Sequence, residues 1–123
     1  MRDLQIGSVP VAADSATPVL VGLITDRDIA ARCVAKKHDA SCLVRDHMSP
    51  APLQTVHPDA DSADVIRKME DAQVRRIPVV DGSGVLLGII AQADLATKLG
   101  PREPYLMEEV LERISTPVAE AIV

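Results

Sequence analysis

The feature that most constrains this chain is that it repeats itself. Residues 1–12 (MRDLQIGSVPVA) align without gaps on residues 69–80 (MEDAQVRRIPVV), and residues 20–33 align on 86–99. Ten of these 26 pairs are identical, including Asp3 with Asp71, Pro10 with Pro78, Gly22 with Gly88, Ile24 with Ile90 and Asp28 with Asp94. A unit this short cannot bury its apolar face alone, so the two copies must share a fold. At 123 residues the chain has room for one compact domain built from two such units.

The second copy gives the pattern of the unit. Leu53-Gln54-Thr55-Val56 reads as a short strand, and His57-Pro58-Asp59-Ala60-Asp61 turns the chain into a helix with one apolar stripe, Val65, Ile66, Met69 and Ala72. Ile77-Pro78-Val79-Val80 and residues 85–90 are β-rich runs separated by the turn signal Asp81-Gly82-Ser83-Gly84. A second helix over 92–99 stops at Gly100-Pro101. The unit is therefore β-α-β-β-α, and the expected class is α/β (α+β). The first copy starts at the tail of its first helix, so its opening strand and most of that helix are expected to be missing. The predicted organisation is a first repeat over 1–35, a polar connector over 36–52, a second repeat over 53–100, and a C-terminal helix and tail over 101–123. Leu106, Met107, Val110, Leu111 and Ile114 form the apolar side of that last helix, and Tyr105 is expected to pack.

Each hairpin leads into a glycine-led segment, Gly22-Leu23-Ile24-Thr25-Asp26-Arg27-Asp28 and Gly88-Ile89-Ile90-Ala91-Gln92-Ala93-Asp94. The doubled G-h-h-T/S-x-x-D pattern, with Val44-Arg45-Asp46-His47-Met48 before the second unit, resembles the tandem cystathionine-β-synthase (CBS) domain pair over nearly all of the chain up to Gly100. The resemblance implies two repeats packed as a pseudo-two-fold pair, regulatory rather than enzymatic, that bind an adenine nucleotide or related adenosyl ligand between them. Asp28 would take the two ribose hydroxyls. Such charge-assisted hydrogen bonds are worth roughly 1.5–3 kcal/mol each. Helix N–H groups, Thr25 and Arg27 would face phosphate. The first site would combine Ser8, Leu23, Thr25, Arg27 and Asp28 with Val56, His57, Ser62, Arg75 and Arg76. A second, weaker site would rest on Ala91 and Asp94.

Thr25-x-x-Asp28 is equally a capping box, in which the two residues satisfy each other's backbone N–H groups. The second copy bears on this choice, because Ala91 has no hydroxyl to cap with and Asp94 remains, which favours inheritance from a ligand-binding repeat. Arg is a natural fork for phosphate, although a regular strand lets only one of Arg75 and Arg76 point inward. His57 precedes Pro58 and reads first as a turn residue.

A formal charge of −5, a pI of about 5.0 and an aromatic content of 1% argue against a nucleic-acid partner. No run of about 18 apolar residues suggests a membrane span, and the N-terminus lacks a signal-peptide layout, so the expected location is the cytoplasm. Cys33, His38, Cys42 and His47 form C-x4-H-x3-C-x4-H, four potential zinc ligands. Their spacing lacks the close C-x2-4-C pair of ordinary zinc sites, so free thiols and no bound metal are expected. No local signature of a catalytic set is present. The leading reading is thus a ligand sensor without a cofactor. The rivals are a metal-binding stress protein and a degenerate pair serving as a dimerisation scaffold. Apolar helix residues over 29–34 and 95–99 further suggest a homodimer.

Overall fold

The computed structural model describes residues 1–99 and Glu112. The predicted C-terminal helix and Tyr105 lie outside the described residues. The chain forms two compact units, one made of residues 1–53 and 82–86, the other, among the described residues, of 54–81 and 87–99.

In the first unit, β1 (Ser8–Ala12), β2 (Leu20–Thr25) and β3 (Ser49–Pro50) make an antiparallel sheet in that order. Alternation along β2 buries Leu20, Gly22 and Ile24 and leaves Val21, Leu23 and Thr25 half-buried, the period of two that a pleated strand imposes. Gly22 is required by close approach, since a Cβ there would stand 2.4 Å from Met48 Sδ and 2.9 Å from the Ser49 carbonyl oxygen. Residues 49–50, read from sequence as connector, are in fact the third strand. A two-residue strand containing proline leaves no periodicity to detect, and proline fits there because the strand lies at the sheet edge.

Residues 82–86, the hairpin turn of the second repeat, complete the first unit. Leu20 N–H donates to the Gly84 carbonyl at 3.0 Å, and its repeat equivalent Leu86 donates to the Pro18 carbonyl at 2.8 Å. Val19 and Val85 form the bridge between them.

In the second unit, α2 (Ser62–Ala72) starts at the N-cap Asp61, whose carboxylate accepts from Asp64 N–H, and ends at Gln73 in the left-handed region. Strands β4 (Arg76–Val80) and β5 (Leu86–Ala91) pair, and α3 (Gln92–Leu99) follows. The core is Val56, Val65, Met69, Ile77 and Leu95, with Met69 and Ile77 wholly buried. Burying each such side chain contributes about 1.5–3 kcal/mol. The strand expected at 53–56 reduces to one parallel bridge, Val56 with Val79. Pro52 and Pro58 bracket the segment, and the Thr55 carbonyl is taken by Lys68 Nζ at 2.7 Å rather than by a neighbouring strand.

The repeat holds at the level of single backbone angles. Gln5 (φ 50°) and Gln73 (φ 52°) are aligned positions. Ile6 N–H donates to the Met1 carbonyl at 3.2 Å, as Val74 N–H does to Met69 at 3.1 Å, the six-to-one bond of a Schellman helix end. Residues 1–5 are therefore the equivalent of the last turn of α2. The two hairpins also close alike, with Asp26 N–H on the Gly7 carbonyl and Gln92 N–H on that of Arg75.

Candidate functional site

The first candidate region is the junction of β2 with α1 (Asp26–Asp28), which continues into the π-helical turn Ile29–Val34. Thr25 is the N-cap. Its Oγ1 accepts from Asp28 N–H at 3.0 Å, and Asp28 Oδ2 accepts from Thr25 N–H at 2.9 Å, which makes the full capping box. A box of this kind contributes about 1 kcal/mol. The other oxygen, Oδ1, lies 3.8 Å from Arg32 Nε, and the Asp28 side chain is largely sheltered from solvent.

Ser8 and Thr25 are directly opposed in the β1–β2 ladder, as Pro10 and Leu23 are, so Ser8, Leu23 and Thr25 share one face of the sheet. Ser8 is 8% exposed and, among the described residues, its Oγ has no hydrogen-bond partner. Leaving a buried hydroxyl unsatisfied costs about 1–3 kcal/mol, so this group is available to an incoming polar atom. Arg27 is exposed at the helix start.

In the second copy, Ala91 N–H still donates to Asp94 Oδ2, at 2.8 Å. The inference that Asp94 persists without a capping duty does not hold. A carboxylate alone supplies half of the box, and the missing Thr hydroxyl removes only the reciprocal bond.

The other predicted ligand residues of the second unit lie as follows. Val56, at 2% exposure, belongs to the core of its unit. The family resemblance named it as a ligand residue, and its backbone forms a bridge with Val79. His57 borders a mainly apolar cavity with Pro58, Ala60, Val65, Val79 and residues 87–90, and its Nδ1 accepts from Asp59 N–H. Ser62 opens α2 and is exposed, as are Arg75 and Arg76.

The second candidate region is the loop from Cys33 to His47. One ligand atom each from Cys33, Cys42 and His47 lies within 4.8 Å of the others, and the two sulfurs are 2.7 Å apart. His38 Nδ1 stands 3.4 Å from His47 Nε2. Cys33 and His47 are buried. All four residues line one cavity of about 380 Å³, whose other walls are mostly apolar: Ile24, Ile29, Val34, Leu43 and Val44. The Cys42 sulfur, followed by burial, holds the Cys33 thiol above its ordinary pKa. The Ser41 hydroxyl and N–H hold the Asp39 carboxyl below its own. Linear spacing had discounted these residues as a set, but a helix end and a tight turn bring them together.

A CBS domain family model matches residues 44–100. An uncharacterized protein of Methanopyrus kandleri is 34% identical over 115 residues, 93% of this chain and 55% of that protein. Hypoxic response protein 1 of Mycobacterium tuberculosis is 30% identical over 121 residues, 98% of this chain and 80% of the relative. Among solved structures, Hypoxic Response Protein I with two coordinated zinc ions has a TM-score of 0.69 at 32% identity, covering 80% of this chain and 78% of that one. The CBS domain pair of protein MJ0100 in complex with 5′-methylthioadenosine and S-adenosyl-L-methionine has a TM-score of 0.69 at 26% identity, covering 83% and 77%. Doubled units, each closed by a carboxylate clamped to the end of a hairpin strand, define a tandem-repeat module of mixed α+β class. The chain belongs to the CBS domain family. It spans 55% to 65% of the length of three of the curated relatives that it matches.

Proposed function

We propose that this chain is a regulatory module that binds an adenosyl ligand, with Ser8, Thr25 and Asp28 of the first repeat at the centre of its site. The observation that carries the reading is the buried Ser8 hydroxyl without a partner, on the same sheet face as Thr25. Asp28 is clamped through one carboxylate oxygen, and the other makes only a long approach to Arg32, which leaves an acceptor for a ribose hydroxyl. The adenosyl compounds held by the MJ0100 pair support the same ligand class. Leu23 and Arg27 would flank the ligand on this repeat. Ala91 and Asp94 would form the weaker site. The module would act by transmitting occupancy rather than by chemistry.

The test is Ser8→Ala in a thermal-shift and calorimetric panel of AMP, ATP, S-adenosylmethionine and methylthioadenosine. Saturating ligand, at 100 times its dissociation constant, adds about 2.7 kcal/mol to the parent. The substitution is expected to raise the melting temperature of the free protein, because it removes an unsatisfied hydroxyl, and to lower ligand affinity. If none of the four compounds stabilises the parent, the reading fails. A Ser8→Ala protein that binds as tightly as the parent removes Ser8 from the site.

A further inference from the structure

We propose that Cys33, His38, Cys42 and His47 form a zinc site that fastens the end of the first repeat's helix to the segment leading into the second repeat. The four residues are far from ordinary motif spacing, yet the backbone is arranged to converge them. The π-helical turn ends with Ala35 N–H on the Ala30 carbonyl at 2.8 Å, Lys37 takes the left-handed region (φ 62°), and His38 N–H then donates to the Cys33 carbonyl at 3.0 Å. This reversal lays His38 back over Cys33. Cys42 N–H donates to the Asp39 carbonyl, Asp39 is itself held by Ser41, and the 3-10 turn Val44–Asp46 presents His47 through its bond to the Val44 carbonyl.

The donor set is two thiols and two imidazoles, the combination that selects a soft-to-borderline tetrahedral ion. Two nitrogens on a tetrahedral zinc, with bonds of about 2.0 Å, stand roughly 3.3 Å apart. His38 Nδ1 and His47 Nε2 are 3.4 Å apart. Two zinc-bound sulfurs, with bonds of about 2.3 Å, stand roughly 3.8 Å apart, so the thiols must open by about 1 Å to admit the ion. The Cys33 thiol lies at the end of a helix and Cys42 on a loop, so the loop supplies this movement. Binding displaces the thiol protons to solvent. Ile24, Ile29, Val34, Leu43 and Val44 make the remaining walls of the cavity mostly apolar. With all four positions filled by protein, the site is structural rather than catalytic.

The alternative state of the same sulfurs is a Cys33–Cys42 disulfide, which needs them to close to about 2.05 Å instead. The experiment separates the two without reference to any nucleotide. The full chain, purified under reducing conditions and dialysed, is expected to retain about one zinc per chain by elemental analysis. Titration of the metal-free chain with cobalt(II) is expected to give the intense visible bands of a tetrahedral ion and a thiolate-to-cobalt charge-transfer band. Cys33→Ser and Cys42→Ser should each abolish the charge-transfer band or weaken it severely. His47→Ala should weaken binding at least tenfold, and His38→Ala should retain cobalt with an altered spectrum. The parent titration stands whether or not a variant folds. A reduced parent that holds no zinc and gives only the spectrum of hydrated cobalt overturns the proposal. So does a tetrahedral spectrum that survives loss of both cysteines.

Discussion

Arg32 donates from its guanidinium to the main-chain oxygen of His47 across 3.2 Å, while its Nε stands 3.8 Å from Asp28 Oδ1. One side chain therefore spans from the carboxylate proposed to hold a ribose to the backbone of a proposed metal ligand. Arg32→Ala is expected to weaken zinc about tenfold, the lower end for loss of a charge-assisted hydrogen bond, because the side chain is half exposed. Competition against a chromophoric chelator measures this. Unchanged affinity would detach Arg32 from the loop's function.

Asp28→Ala is expected to lower adenosyl-ligand affinity at least tenfold, and Asp94→Ala to change it little. Both substitutions remove a carboxylate that accepts from a cap N–H, so both cost similar stability. Calorimetry at matched folded fraction isolates binding. Equal losses for the two variants would refute the asymmetry.

Ala91→Thr should complete the half-built box at the start of α3. The carboxylate bond from Asp94 is already in place, and the new hydroxyl supplies the missing acceptor, with an expected gain of about 0.5–1 kcal/mol. Denaturant unfolding is the measurement. A loss of stability would mean that the β-branched side chain clashes at the end of β5.

Gly22→Ala and Gly88→Ala should separate sharply although the positions are aligned. The first drives a methyl group into Met48 and the Ser49 carbonyl, and overpacking of this kind costs about 1–3 kcal/mol. The second meets nothing within 4 Å among the described residues. Comparable destabilisation in urea would contradict the packing described around β2.

A homodimer is expected through the first repeat's helical turn and the loop beyond it. Ile29, Val34, Leu43 and Val44 are all exposed there. Leu95, which the apolar pattern also assigned to this surface, is buried in the core of its own unit and takes no part. Light scattering at micromolar concentration should give a dimer, and Val34→Glu should give a monomer. A monodisperse parent monomer would remove the assembly.

The legibility of this fold follows from where its information lies. Gly22 with Gly88 and Asp28 with Asp94 were readable because the repeat supplies an internal comparison, and that comparison extends unprompted to the matched left-handed Gln5 and Gln73. Residues 49–50 had no such counterpart to reveal them as a strand. Val56 read as part of a strand over 53–56, but a single bridge to Val79 is all that its segment forms. The convergence of Cys33 and Cys42 depends on a π-helical turn and on Lys37 at φ 62°, neither of which has a sequence signature of its own. The Ser8 hydroxyl was placed by family resemblance, but its lack of a partner is visible only once the burial around it is known.

The paired bonds of Leu20 with Gly84 and Leu86 with Pro18 mean that a cut between the repeats separates backbone donors from their acceptors. A fragment ending near residue 53 would carry every strand of the first sheet, yet it would leave the Leu20 amide and the Pro18 carbonyl without their acceptor and donor. A fragment beginning there would present an unclasped hairpin. Each hairpin therefore supplies one backbone donor and one acceptor that only the other hairpin matches, so the two turns stand or fall together.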